Sequence, residues 1–224
     1  MENDSFLKKI SDYFNSQYNL LVYHPLIDEI ARGSLTKQQL IVFAEQFHHF
    51  LVEAEYRFSA VSVVRSPDLE SVKRNLAHAI EEAGHMKLWL QFTHALGIEE
   101  ADLEQTEPRP GVLNFTNYFY RLSFMASPGE VAAGAGLPEG MFAHQCERIA
   151  AGLASHYHFN EDQVAFFRVH AKADQEHVDL HFWRIAKHAT DETAKAKIMR
   201  AAKLGFHYYK EMFDSIYEAA RESS

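Results

Sequence analysis

His170, Asp174 and His177 stand at positions 0, +4 and +7 of the stretch VHAKADQEHVDLHFW. At about 100° per residue on a helix, those offsets put the three side chains within an arc of about 60° on one face. Two imidazoles and a carboxylate so arranged can hold a transition metal and leave coordination positions open. His181, four residues further on, continues the stripe. A solvated His-rich face has the same pattern, so the triple needs companions on other elements before it makes a site.

Companions are present. Glu82 and His85, in NLAHAIEEAGHMKLW, are related by i,i+3 and share a helix face, with Glu81 a rival for the carboxylate. Glu-x-x-His is the spacing by which carboxylate-bridged dinuclear bundles aim two ligands inward. Gly84 lies between them, and a mid-helix glycine costs about 1 kcal/mol against alanine, which predicts a close backbone approach or a local distortion. Glu139, in GLPEGMFAHQ, opens another helix, where it is either a ligand or a first-turn acid favoured by the helix dipole; His144 and Glu147 are fallbacks there. Glu53, in HHFLVEAEYRF, is a further carboxylate, in competition with Glu45 and Glu55. Three His and three or four carboxylates would nearly neutralise two divalent ions; without metal, the buried carboxylates would repel one another. Imidazole and carboxylate without thiolate suit iron or manganese. Cys146 reads as a small core residue. His48 and His49 point about 100° apart, so at most one can face a cavity.

These residues need helices, and the chain supplies little else. Phe6, Ile10, Tyr13, Phe14 and Tyr18 make a first amphipathic stripe. His24-Pro25 turns into a short helix ending at Gly33, and Thr36 with Gln39 forms a capping box for a long helix to about Val64. Ser66-Pro67 reads as N-cap and first residue of a helix through His85 and Trp89 to Gly97. A loop over 99–111, with room for one helical turn, precedes a helix over Leu113–Met125. Ser127-Pro128 with Glu130 opens another helix, Gly134 and Gly136 interrupt helical order, and a segment follows from about Pro138 to His156. Asn160 with Gln163 caps the helix carrying the opening triple, which runs to about Lys187. A final helix over about Asp191–Glu218 turns Ile198, Ala202, Phe206, Tyr209 and Phe213 inward. The expectation is one all-α domain over 1–224, a bundle of seven to nine helices around a cavity.

Composition narrows the function classes. The chain has 224 residues, 47% of them hydrophobic, and a net charge of −9 without any Lys/Arg block, which disfavours nucleic acid and anionic membranes as partners. One cysteine excludes an intrachain disulfide and fits a reducing cytoplasm. The N-terminal MENDSFLKKI is polar and unlike a signal peptide, and no apolar run is long enough to span a bilayer.

Three stretches carry a family resemblance: HPLIDEIARGSLTKQQLIVFAEQFHHF, EEAGHMKLWLQFTHALGIEEADL and VHAKADQEHVDLHFW. From about Tyr18 to Tyr217 the chain resembles the TenA/PqqC superfamily, whose fold is the haem-oxygenase-like helical bundle. Within it the chain is most similar to the haem-oxygenase-like di-iron oxidases, which include the alkene-forming UndA type and the p-aminobenzoate-forming CADD type. The resemblance implies a cytoplasmic oxidoreductase with two iron (or manganese) ions and dioxygen as co-substrate. It implies Glu82, His85, Glu139, His170, Asp174 and His177 as ligands, Glu53 as a further one, and His85, His170, Asp174 and His177 as the catalytic core. The Glu-x-x-His without insertion matches the alkene-forming branch; the p-aminobenzoate branch has three extra residues there. His24, Phe47, Tyr56, His144 and Tyr209 are the candidates for a small-molecule substrate pocket, with Trp89 and Tyr118 as lining or core. A homodimer is expected by resemblance. The alternatives are a metal-free oxidase of the PqqC type, a TenA-like enzyme of thiamine metabolism, and a cavity-bearing binding protein without turnover.

Overall fold

A computed structural model describes residues 2–52 and 57–223, with the backbone alone at 2, 3, 57, 59 and 173–176. Glu53, Glu55 and Tyr56, and the side chain of Asp174, lie outside the described residues. The described residues form α-helices α1 (Glu2–Val22), α2 (Pro25–Ala31), α3 (Lys37–Phe50), α4 (Arg57–Val64), α5 (Leu69–Leu96) and α6 (Glu100–Leu103). They continue as α7 (Pro110–Met125), α8 (Pro128–Val131), α9 (Leu137–His156), α10 (Ala165–His188) and α11 (Glu192–Glu222). Eleven helical segments exceed the seven to nine expected, in part because two are single turns of four residues. No strand occurs among the described residues.

Local chemistry explains most boundaries. His24 caps α2 by accepting the Leu26 N–H on Nδ1, and Gly33 closes the following turn at φ 69°. Thr36 and Gln39 form the capping box of α3. Regular α3 stops at Phe50 and passes into π geometry at Leu51 and Val52, and helix is described again over Arg57–Val64, the stretch between lying outside the described residues. The cap of α5 is Asp68, two residues after Ser66: its carboxylate accepts the Ser71 N–H, while the Ser66 hydroxyl donates to the Ser62 carbonyl. Pro110 starts α7 three residues earlier than expected. Asn160 and Gln163 exchange the reciprocal bonds of a capping box, but a turn intervenes before α10 proper.

The largest departure is at Gly134 and Gly136. Helical order is not broken; Ala132–Gly136 form a π segment joining α8 to α9 in one rod. The space-filling role of these glycines explains it. A Cβ on Gly205 would lie 2.0 Å from the Gly134 carbonyl oxygen, so α11 crosses the π segment backbone to backbone.

α9 packs along α10, and α11 packs on α7, α3 and the π segment. α5 lies antiparallel to α10, and facing ring pairs mark the register: Trp89–Phe166 at 5.0 Å, His85–His170 at 4.4 Å and His78–His177 at 4.5 Å between centroids. Trp89 and Phe166 belong to an apolar aromatic cluster with Phe43, Phe47, Phe92 and Phe167, all fully buried. Full burial of each such ring is worth roughly 1.5–3 kcal/mol, so this cluster pins the two helices whose next turns carry the histidines.

Candidate metal centre

On α5, His78, Glu82 and His85 follow one another at 0, +4 and +7, and on α10 His170, Asp174 and His177 do the same. The antiparallel register brings the two faces together. Two groups of donors result among the described residues, His78, Glu82, Glu139 and His177 in one and Glu82, His85 and His170 in the other. Within each group one ligand atom per residue lies within 4.8 Å of every other. Glu82 is common to both.

Glu82 is 8% exposed and its two oxygens are divided: one is 3.0 Å from His85 Nδ1, the other 3.3 Å from His78 Nε2. Burial pushes its pKa up, but hydrogen bonds from His78 and His85 overcome that and hold it at about 2. Glu139 reaches the cluster from the first turn of α9. It meets His177 Nδ1 at 2.6 Å and His181 Nε2 at 3.0 Å, and lies 3.6 Å from His78 Nε2. Burial opposes its charge, yet the three imidazoles hold its carboxyl well below the ordinary value. His78, between Glu139 and Glu82, is raised to about 9 although burial pulls it down. His181 accepts an Arg184 N–H on Nδ1 at 3.3 Å, so burial and this tautomer keep it neutral, with its pKa lowered to about 4.

His170 gives the clearest sign of a missing partner. It is 2% exposed, and its Nδ1–H donates to the Phe166 carbonyl at 2.8 Å. That bond leaves Nε2 as a buried lone pair with no hydrogen-bond partner. A backbone carbonyl on one imidazole nitrogen and an open lone pair on the other is how metal-ligating histidines are oriented. Burial, with His85 alongside, lowers its pKa to about 4, so the lone pair is available at neutral pH.

The expected residues divide clearly. Glu82, His85, Glu139, His170 and His177 are brought together. Glu82 is the inward carboxylate of its pair; Glu81 is exposed yet approaches His177 Nε2 at 3.3 Å. Glu45 is not at the centre: it lies beside Asp102, and burial raises its pKa. The fallbacks also lie elsewhere, His144 edge-on to Tyr18 and Glu147 exposed. His78 was not anticipated, although its spacing to Glu82 and His85 repeats that of the opening triple and was legible. Gly84 faces open space, since a Cβ there would meet nothing within 4 Å, so the expected close approach is absent. That approach occurs at Gly136, where a Cβ would lie 2.1 Å from His181 Nδ1.

Above the cluster is a partly open cavity, walled by Phe47, Phe115, Phe142 and Tyr209 and floored by Glu82, Glu139 and His170. Phe47 and Tyr209 are therefore pocket residues as expected. His24 is not: buried under Tyr217 and bonded to Asp214 at 3.0 Å, it serves as a helix cap. His144 is also off the wall, and Trp89 and Tyr118 belong to the core, the latter donating to the Ala201 carbonyl at 2.9 Å. Neither His48 nor His49 lines the cavity, and Cys146 is buried away from it. No helix is long and apolar enough to cross a membrane among the described residues.

Comparison with known proteins agrees with this architecture. A 4-aminobenzoate synthase of Nitrosomonas europaea is 28% identical over 240 residues, covering 97% of this chain and 93% of its own length. An aminopyrimidine aminohydrolase of Helicobacter pylori is 29% identical over 114 residues, covering 50% of this chain and 52% of its own. A solved domain with a haem-oxygenase-like fold from Shewanella denitrificans superposes with a TM-score of 0.80 at 17% identity, over 96% of this chain and 93% of that one. The fold is thus haem-oxygenase-like, and with residues 7–215 matching its profile, the chain belongs to the TENA/THI-4/PQQC family.

Proposed function

We propose that the protein is a non-haem oxidoreductase that binds two metal ions, iron or manganese, and uses dioxygen to oxidise a small molecule held in the cavity. The observation that carries this reading is Glu82, a buried carboxylate shared by two donor groups. The donor chemistry fits such ions: imidazoles and carboxylates, no thiolate, and an orphaned imidazole nitrogen at His170. When bound, a pair of redox metals supplies the electrons for dioxygen reduction, which none of these side chains can provide. The full-length likeness to a protein named 4-aminobenzoate synthase supports an enzyme of this type.

The chain's own residues prepare the site. The Phe166 carbonyl fixes the His170 tautomer, so Nε2 faces the cluster. Glu82 holds His78 and His85 on one helix and presents both oxygens between the two groups. His181 and His177 grip Glu139 from α10, and Arg184 fixes the His181 tautomer in turn. The Phe47, Phe115 and Phe142 rings exclude water from the space above. The half-length likeness to an aminohydrolase raises hydrolysis, but Cys146, the one thiol in the sequence that could serve as a nucleophile, is buried in α9 and off the cavity wall, which favours the oxidative reading.

Metal analysis after expression with iron, followed by oxygen uptake by the reduced protein, tests this. Two metal ions per chain and oxygen consumption are expected, with His170→Ala losing at least one ion. A wild-type protein that takes up no metal, or a His170→Ala variant with full loading and uptake, refutes the proposal. Two ions bound without oxygen uptake would leave a metal-binding protein instead.

A further inference from the structure

A second, partly open chamber adjoins the metal cavity, and the two share Ser62, Val131 and Arg184 as common wall. Its lining differs in charge. The first is walled by phenylalanines; the second presents Arg184, Arg65 and His188 together with the hydroxyls of Ser66 and Ser71, and no carboxylate lines it. Both guanidinium groups are engaged by neutral acceptors. Arg184 donates to the Asn75 side-chain carbonyl, and Arg65 donates to the Ser123 main-chain carbonyl. Neither forms an ion pair with a carboxylate among the described residues, although the protein has 31 acidic side chains and a net charge of −9. Two guanidinium groups in one polar wall that carries no carboxylate offer an anion charge-assisted donors from two sides of the sequence.

Arg184 is also held in place. Asn75, its acceptor, donates to Ser66 Oγ at 2.8 Å and to the Ser62 carbonyl at 3.0 Å, which ties α10 through α5 to the last turns of α4 and the residues just after it. Its other side leans on His181 Nδ1 at 3.3 Å, one residue from the metal cluster. Its desolvation lowers its pKa to about 10, which still leaves it charged at neutral pH. A fixed, half-buried cation between a polar chamber and an aromatic one is the arrangement that orients an amphiphilic ligand.

We propose that this chamber is an anion site, in which Arg184 and Arg65 hold the carboxylate of a substrate or product whose flat or extended apolar body passes into the metal cavity. The inference rests on the proposed function in that the apolar end then lies over the metal centre. The anion site itself can be tested without turnover.

The probes are 4-aminobenzoate and its neutral counterpart 4-aminobenzamide, titrated calorimetrically into the metal-loaded and the metal-free protein. The carboxylate should bind at least about tenfold more tightly than the amide in both forms, because charge-assisted bonds to guanidinium exceed neutral ones by that order. Arg65→Gln, which touches nothing in the metal cluster, should weaken the carboxylate by about tenfold and leave the amide unchanged. Arg184→Gln should do the same, with metal content measured because it also supports His181. Equal binding of acid and amide overturns the proposal, as does an Arg65→Gln variant that binds the acid like wild type. Carboxylate binding that disappears with the metal would assign the anion to the metal ions and also overturn it. Failure of oxygen uptake with carboxylate binding intact would sink the oxidase reading alone.

Discussion

Replacing Gly136 by alanine should destabilise the protein and loosen the candidate metal centre, while the same change at Gly84 should stabilise the protein. Gly136 has φ −72° and ψ −37°, an ordinary helical conformation, so only space demands glycine there. A Cβ would lie 2.1, 2.2 and 2.3 Å from His181 Nδ1, Cε1 and Cγ, so the imidazole must move. Overpacking of this kind costs about 1–3 kcal/mol. Moving the ring also breaks the His181–Glu139 hydrogen bond at 3.0 Å, a bond to a charged group worth about 1.5–3 kcal/mol. Alanine's better helix propensity returns about 1 kcal/mol, for a net loss of about 1.5–5 kcal/mol. For a chain of this size, that lowers Tm by roughly 3–20 °C. At Gly84 only the propensity term survives, since nothing lies within 4 Å of the new methyl, and Tm should rise by about 2–4 °C. Thermal unfolding followed by circular dichroism on the metal-free variants measures both. Metal titration should then show a 10- to 100-fold weaker site in Gly136→Ala, as for other changes behind a ligand. A Gly136→Ala protein that melts within a degree of wild type would refute the packing argument, and one that binds metal normally would refute the role of His181.

Other outcomes follow from single contacts. Glu82→Gln should lower metal content at both groups, whereas Glu81→Gln, at the exposed edge, should lose at most a few-fold in affinity; elemental analysis of the two side by side decides this. His48, buried with His49 beside it, has its pKa lowered from 6.5 to about 4, so between those values the unfolded chain binds the extra proton. Its contribution to stability is complete above pH 6.5 and is lost, by about 2–3 kcal/mol, as pH falls to 4. His48→Leu should flatten the urea-unfolding stability over that window relative to wild type, and parallel curves would refute it. Asp191 caps α11 by accepting the Ala194 N–H at 2.8 Å, so Asp191→Ala should cost about 1 kcal/mol in the same assay.

Much of the fold was legible because helix ends are local chemistry. The capping box at Thr36, the left-handed glycine at Gly97 and the inward stripe of α11 involve residues within a few positions of one another. Errors arose where two local signals competed or a distant neighbour decided. Ser66-Pro67 and Asp68 both offer a start for α5, and the winner is the side chain that reaches the Ser71 N–H. At Gly134 and Gly136 the sequence shows only missing side chains. Whether that breaks a helix or admits α11 and His181 against its backbone depends on elements some 45–70 residues away.

The centre divides in the same way. By itself the sequence determined that His170 and His177 share a face, and that Glu82 and His85 share another, because helical periodicity is a property of one segment. It also contained the second 0, +4, +7 pattern, starting at His78. Tertiary structure alone decided that these faces meet. Packing of Trp89 on Phe166 sets the antiparallel register, and that register makes His78 the neighbour of His177 and Glu82 the carboxylate common to both groups. Tertiary structure likewise brought Glu139 in from α9 and set Arg184 between two chambers. A carboxylate acquires its role from the groups that surround it, and those groups are assembled only when the helices pack.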